Sequence, residues 1–400
     1  MKVLFINAVY GISSTGRIVK ELDEAMRADG VESCVATTKT NIDCQGLYMI
    51  GNRLDWKIHG MLSRIFGKQA YFSYLSTHKL LQYIKRENPD IVHLHNLHGN
   101  YINFPMLLKY LSDNDIATVV TLHDCWFFTG KCTHYTETKC NRWKTGCYDC
   151  PKLKDDNRSW FFDRTPEMWD DRKKLFEQIP RLAVIGVSDW VTHEAKNSIL
   201  KNAQIIERIY NWIDLDVFCP QSGKKTNSSK FQILAISAGW NTSSSKWKDL
   251  LTLSQLIRED MQIIVVGGGL THVSVPHNMI VFDYINGLDK LAELYSSVDV
   301  YVHLSREDTF GKVVAEAMAC GTPSVVYDST GLPELIEDGC GYVVPTGNIT
   351  EMFEKILLIQ EAGKETFSEK CINSVKSRFS KEQLIGDTMQ LYKDILNISK

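Results

Sequence analysis

The stretch His303–Gly341, HLSREDTFGKVVAEAMACGTPSVVYDSTGLPELIEDGCG, decides how the rest of the chain is read. A short loop holds Asp308 and closes at Gly311. Lys312 to Cys320 predicts a helix with a second acid, Glu316, in its first turns; Gly321 offers the left-handed residue past its end, and Pro323 follows. Ser324–Tyr327 predicts a strand, and Thr330–Glu334 a glycine turn. A glycine turn feeding a helix start suits an anion, because first-turn amides have no intrahelical acceptor and the dipole favours negative charge. Carboxylates are poor phosphate ligands, but one carboxylate accepts two hydrogen bonds from a vicinal diol. An anion between two polyols describes a sugar nucleotide. The competing reading is an ordinary strand–helix–strand unit whose acids are solvated.

Working outward, the α/β pattern begins at Phe231, after a polar stretch 221–230 (QSGKKTNSSK) that marks the clearest boundary. Phe231–Ser237 predicts a strand, followed by a Ser-rich loop with Lys246 and a helix to about Glu259. Strands follow at Gln262–Val266, Met279–Phe282 and Val298–Leu304, with a helix at Leu288–Ser297. The N-terminal half has the same grammar. Strand Lys2–Asn7 runs into a Gly-rich turn through Gly16 and Arg17, then an amphipathic helix ended by Gly30, then strand Val31–Thr37. Asp90–His95, Ala117–Leu122 and Leu182–Val187 are continuous apolar runs of the parallel-sheet kind. Polar groups follow the first two, His95–Gly99 and His123-Asp124, at strand ends where ligands bind in open α/β sheets. The expected architecture is α/β, two doubly wound domains with a cleft: residues 1–208, a hinge and linker 209–230, and residues 231–380.

With 400 residues and a net charge of −3, the chain supports two cores and carries no electrostatic footprint for nucleic acid. It lacks an apolar run long enough to span a bilayer, and MKVLFINAVY reads as a first strand, not an export signal, so the expected location is cytoplasmic. Asp55–Tyr74 interleaves Trp56, Ile58, Met61, Leu62, Ile65 and Phe66 with Lys57, Arg64 and Lys68. Such a helix either lies on an anionic membrane surface or packs on the core with a solvated basic edge.

These residues resemble the retaining glycosyltransferases of family four, which have the GT-B fold of two facing Rossmann-like domains. The likeness runs essentially end to end. Its most specific part is the E-x7-E signature followed by EAMACGTP, with Asp308 in place of the first glutamate and Glu316 as the second. Ile209–Asp214 resembles the family's I-x-N-G-I-D hinge with Trp212 for the glycine, and Lys246 resembles the lysine of its KG loop, here followed by Trp247. An arginine that often precedes that lysine is absent; Trp240 and Asn241 stand there. The resemblance implies Glu316 on the ribose, Asp308 on the donor sugar, and Lys246 with the Gly311–Val313 amides on the diphosphate. Thr309, Phe310, Lys312 and Val313 join these as donor-site residues, as do Gly16 and Arg17 by position, while His123 orients the sugar. It also implies that helix 381–398 packs back on the first domain.

The implied reaction moves a hexose from a nucleotide diphosphate to a hydroxyl with retention, by same-face attack in which the leaving phosphate accepts the proton. The growing charge on that phosphate is where a protein acts most strongly. Lys246 and a helix start supply it without a metal; Asp214-Leu215-Asp216 is a D-x-D, but it falls in the hinge. The expected acceptor is a growing polysaccharide or a lipid-linked oligosaccharide at the inner face of the membrane. Two other readings are open, a sugar-nucleotide epimerase of the same architecture and an inactive nucleotide-sugar-binding subunit.

Five of the eleven cysteines cluster between Cys125 and Cys150. The pattern Cys132-x7-Cys140-x6-Cys147-x2-Cys150 suits a closed all-thiolate structural zinc site, or else a loop of reduced thiols or one that pairs under oxidation.

Overall fold

Runs of Val, Ile and Leu without alternation build sheets covered on both faces. The computed structural model describes residues 1–42, 46–221 and 229–398; Cys44 and most of the expected linker, 222–228, lie outside them. The chain divides into two compact units, Met1–Tyr210 with Ile385–Lys400, and Asn211–Leu384.

In the first unit β1 (Lys2–Ile6), β2 (Val9–Tyr10), β3 (Glu32–Thr37), β4 (Lys39–Thr40), β5 (Leu47–Met49), β6 (Ile91–Leu94), β7 (Ala117–Leu122), β8 (Leu182–Gly186) and β9 (Ile205–Arg208) occur in that order. Seven form one parallel sheet, β5-β3-β1-β6-β7-β8-β9, and β2 pairs with β4. β6, β7 and β8 are buried along their whole lengths. The chain starts in the middle of the sheet, moves to one edge and returns to fill the other, so β1 and β6 flank the point where loops diverge. Asn7 ties that point together: its Oδ1 accepts from Asn96 N at 3.1 Å and its Nδ2 donates to Val9 O at 2.7 Å.

The second unit repeats the plan with β10 (Phe231–Gly239), β11 (Met261–Gly268), β12 (Met279–Phe282), β13 (Val300–His303), β14 (Ser324–Tyr327) and β15 (Gly341–Val344). Their order is β12-β11-β10-β13-β14-β15, all pairs parallel. The loops after β10 and β13 therefore diverge at this unit's switch point.

Two local expectations change. The first helix spans Ser13–Ala28, so Gly16 and Arg17 lie inside it and not in the preceding turn. Glycine serves there for close approach: a Cβ on Gly16 would sit 3.1 Å from the Val9 carbonyl oxygen. The basic aromatic stretch splits at Gly67 into helix Arg53–Phe66 and a loop. That helix buries its small and polar residues, His59, Gly60 and Ser63, and exposes Leu54, Ile58, Met61 and Phe66. It is turned inside out relative to a core-packing helix because its polar face is needed inside, where His59 Nδ1 meets Ser73 Oγ at 2.8 Å. Asp214, in the 209–230 stretch, is a turn residue: its Oδ1 accepts from Asp216 N at 3.2 Å and Lys381 Nζ lies 3.8 Å away.

Helix Lys381–Asn397 ends within the first unit. There Leu391, Tyr392 and Ile395 are buried, and the Tyr392 hydroxyl lies 2.6 Å from His93 Nδ1 in β6. Among the described residues no helix is long and apolar enough to cross a membrane.

Candidate functional site

In the second unit the loop after β13 is shaped by Asp308. Its Oδ1 accepts from Gly311 N at 2.8 Å and Phe310 N at 3.2 Å, and its Oδ2 lies 3.3 Å from His303 Nε2. The Asp308 backbone is pinned from the other side, by Thr330 Oγ1 to its N–H at 3.0 Å and by Gly331 N–H to its carbonyl at 3.1 Å. An aspartate is the right length for this loop closure, since its carboxylate reaches backbone amides two and three residues on. Thr309 and Phe310 are buried, Phe310 edge-on to Phe379 at 5.3 Å. Gly311 then caps helix Lys312–Ala319 with φ 83°. A Cβ there would stand 2.7 Å from Leu332 Cδ2, so both conformation and space require glycine.

Asp308 takes the Gly311 amide, so of the expected donor-site amides those of Lys312 and Val313 are the ones in the first turn of the helix. Glu316 lies on the same helix, 2% exposed, with the Tyr295 hydroxyl donating to Oε2 at 3.4 Å. Burial first, and the Glu316 charge second, push the Tyr295 phenol well above its usual range.

The loop after β10 brings in Lys246. It starts helix Ser245–Leu256, whose cap is Ser244. Its ammonium donates to Ser237 Oγ at 2.5 Å and sits 5.1 Å from the Trp240 ring centroid. Burial holds Lys246 below the usual lysine range, and the Asp308 charge partly offsets this. Trp240 is itself fixed by donation from Nε1 to Val266 O at 3.0 Å. Behind the loop Arg306 makes a forked pair with Asp249, 2.9 Å at the closest, and the Tyr327 hydroxyl donates to Asp249 Oδ2 at 2.8 Å. The structure thus brings Lys246, Asp308, the 312–313 helix start and Glu316 to one switch point. His303, Thr330, Tyr295 and the Arg306–Asp249–Tyr327 group were not marked by the sequence. Asp249 and Arg306 stand 57 residues apart, and no spacing signal connects them.

In the first unit His123 follows β7, its Nε2 3.0 Å from His95 Nδ1 and its ring stacked at 5.3 Å. His95 in turn lies 4.1 Å from the His93 ring, and His93 Nε2 meets Thr121 Oγ1 at 2.7 Å. Burial first, and neighbouring imidazoles second, drive His93 down to about 3 and His95 well below its usual range, so both are neutral. One residue on, Asp124 faces His98 Nε2 at 3.0 Å. Burial opposes charge on both, but their mutual attraction outweighs it, raising His98 and lowering Asp124. Gly16 and Arg17 sit in the first helix, Ser13–Ala28. A cavity of about 520 Å³ is lined by Lys2, Glu32 and Glu87 at the amino ends of the strands. Ligands bind at the carboxyl ends of such sheets, so it is not the candidate site.

Comparison with known sequences finds two family profiles. The one described as Glycosyltransferase Family 4 matches residues 15–217, and the one described as Glycosyl transferases group 1 matches residues 233–361. The N-acetyl-alpha-D-glucosaminyl L-malate synthase of Bacillus anthracis is 27% identical over 224 residues, 52% of this chain and 58% of that protein. A protein of Escherichia coli (strain K12), provisionally named as the colanic acid biosynthesis glycosyl transferase WcaC, is 23% identical over 84% of this chain and 83% of its own. Among solved structures, sucrose-phosphate synthase from Thermosynechococcus elongatus superposes with a TM-score of 0.71 at 16% identity, covering all of both chains. Anabaena Alr3699/HepE in complex with UDP-glucose does so with 0.65 at 15% identity, covering 98% of this chain and 100% of its own. These likenesses establish the GT-B fold.

Proposed function

The chain belongs to glycosyltransferase family 4, and from that premise we propose that it transfers a hexose from a nucleotide-diphosphate donor to a saccharide hydroxyl with retention and without a catalytic metal. The observation that carries this reading is the convergence at one switch point of Lys246, the 312–313 helix start and the two acids of helix and loop. In this reading the Lys312 and Val313 amides and Lys246 hold the diphosphate and stabilise the charge that grows on it as the glycosidic bond breaks. Glu316 receives the ribose diol and Asp308 a sugar hydroxyl. The acceptor hydroxyl attacks from the face the diphosphate leaves, and its proton passes to the departing phosphate oxygen. His123 is the first unit's candidate for a sugar hydroxyl, its imidazole oriented by neutral His95.

Calorimetry with UDP and GDP, followed by a labelled donor panel, tests the reading. Glu316→Gln keeps the buried shape but removes the charged acceptor, so nucleotide-sugar affinity is expected to fall roughly tenfold or more. Unchanged affinity and turnover would remove Glu316 from the site. The engagement of Asp308 with its own loop favours one second reading, a nucleotide-sugar-binding subunit without turnover, which the same panel recognises as binding without nucleotide release.

The acceptor is proposed to be lipid-linked or a growing surface polysaccharide. The exposed face of helix Arg53–Phe66 supports membrane contact, and its exposed Arg53, Lys57 and Arg64 complement anionic lipid. The exposed Trp160, Phe161 and Phe162 extend that face, anchored by donation from Trp160 N to Arg64 O at 2.7 Å. Beneath the helix a polar cavity of about 240 Å³, lined by Arg64, Gln69, Asn100 and Arg158, suits a saccharide or phosphate head. Sedimentation with phosphatidylglycerol vesicles checks this. Ile58→Glu with Phe161→Ser is expected to lower binding at least about tenfold. Equal sedimentation of the variant would rule this face out.

A further inference from the structure

Between β7 and helix Thr165–Glu177 the chain runs from 123 to 164 with one three-residue 3-10 turn, Arg142–Lys144, as its regular structure among the described residues. A segment this long without elements needs something else to hold it. Part of the answer is aromatic. Trp143 is buried between Phe128 and Tyr135, each at 5.1 Å, and its carbonyl accepts from Trp169 Nε1 at 2.7 Å.

The rest concerns charge. Lys131 is 2% exposed and Arg172 fully buried. Lys131 Nζ donates to the carbonyls of Lys152 and Leu153 at 2.8 and 3.1 Å. Arg172 stacks on Trp126 at 4.0 Å and donates from Nη1 to Trp126 O at 2.7 Å, while its Nε and Nη2 have no partner. Among the described residues no carboxylate stands within ion-pair distance of either cation. Burying two cations whose close partners are carbonyls is costly, and their longer-range neighbours are Asp156 and Asp163 for Lys131, Asp124 for Arg172, and the thiols of Cys132, Cys147 and Cys150.

Cys132, Cys140, Cys147 and Cys150 line one cavity of about 20 Å³, room for a single water-sized atom. Cys132 and Cys150 interact side chain to side chain, each shifting the other's titration. Cys147 Sγ accepts from Gly130 N at 3.2 Å, and Cys150 accepts from the Lys152 amide. Backbone amides aimed at sulfur are what thiolate ligands receive from their surroundings. Cys147 and Asp149 have left-handed φ of 50° and 44°, which folds the C-x2-C pair into a tight knuckle. As arranged, no three ligand-type side chains among the described residues form a group that could hold a metal ion, so a metal site at this cluster is one the sulfurs complete on loading.

We infer that Cys132, Cys140, Cys147 and Cys150 form a structural zinc site whose charge complements the buried Lys131 and Arg172. Four thiols give up four protons on binding, and Zn²⁺ with four thiolates carries two negative charges, equal and opposite to the two buried cations. The site is closed and takes no part in the transfer chemistry. It fixes the segment that begins at His123.

The test uses the full chain purified without a polyhistidine tag. Elemental analysis is expected to find roughly one zinc per chain, released in step with mercurial modification of about four thiols. Cys147→Ser and Cys150→Ser should each lose the zinc and melt lower, whereas Cys371→Ser, outside the cluster, should retain it. A chain that carries and takes up less than roughly one-tenth equivalent of zinc overturns the inference. So does a Cys132–Cys150 disulfide found after alkylation during lysis. The wild-type readings decide the question even where a serine variant does not fold.

Discussion

Replacing Asp308 separates two jobs that one carboxylate performs. Oδ1 closes the loop by accepting from Gly311 N and Phe310 N, and Oδ2 carries charge beside His303 and near Lys246. Asp308→Ala removes two amide bonds to a charged acceptor that is partly exposed, a loss of about 2 kcal/mol after allowing for solvent. For a unit of this size that lowers Tm by roughly 4–8 °C. Asp308→Asn keeps an acceptor oxygen for the loop and should melt within about 2 °C of the parent. Its cost falls on the reaction, because a carboxylate bond to a sugar hydroxyl is worth about 1.5–3 kcal/mol, or roughly 10- to 100-fold in kcat/KM. UDP or GDP affinity, measured calorimetrically, should change less than about threefold, since the proposed contact is to the sugar. Unimpaired turnover in Asp308→Asn beside a low-melting Asp308→Ala would make Asp308 a loop cap and nothing more.

Gly311→Ala forces a Cβ to 2.7 Å from Leu332 Cδ2 at φ 83° and should destabilise by about 1–3 kcal/mol. The same shift moves the helix start, so calorimetric nucleotide affinity should fall roughly tenfold; full retention of both would place the diphosphate elsewhere. Stability should peak near the ordinary histidine pKa. His93 and His95 have depressed folded values, so below about 6.5 these two sites bind up to two more protons in the unfolded chain and through them stability falls by as much as ~2.7 kcal/mol per pH unit, with buried His59 adding in the same direction. His98 is raised, so its contribution is full below about 6.5 and is lost as pH rises through its folded value. Asp124 is lowered, and its share persists until pH falls through its own folded value. Denaturant midpoints of the His98→Asn protein should flatten on the alkaline side and, because Asp124 loses the partner that lowers it, shift on the acid side as well.

Much of the scaffold was legible because continuous β-branched runs have few other uses. Ala117–Leu122, Ser324–Tyr327 and Met279–Phe282 fall on β7, β14 and β12 end to end. Short edge strands were not: β5 and β9 have burial patterns too mixed to stand out. Helix Arg53–Phe66 shows why periodicity alone misleads, since it marks an apolar face but not which way that face turns. At the site, Lys246, Asp308 and Glu316 were visible as types at a spacing. Their partners were not, because His303, Thr330 and Asp249 acquire meaning only from strands and loops brought together by the sheet. The commitment of Asp308 to its own loop is likewise a matter of geometry that a spacing of two acids does not encode.

The bond between Tyr392 and His93 joins residues 299 apart in sequence. On the ribosome, β6 emerges long before its partner, and the whole segment 211–384 must be translated in between. The first unit therefore cannot finish its core in the order in which it is made. It waits, with His93 unsealed, until the last helix arrives. Synthesis of helix Lys381–Asn397, and not completion of the N-terminal sheet, then sets when this core can close.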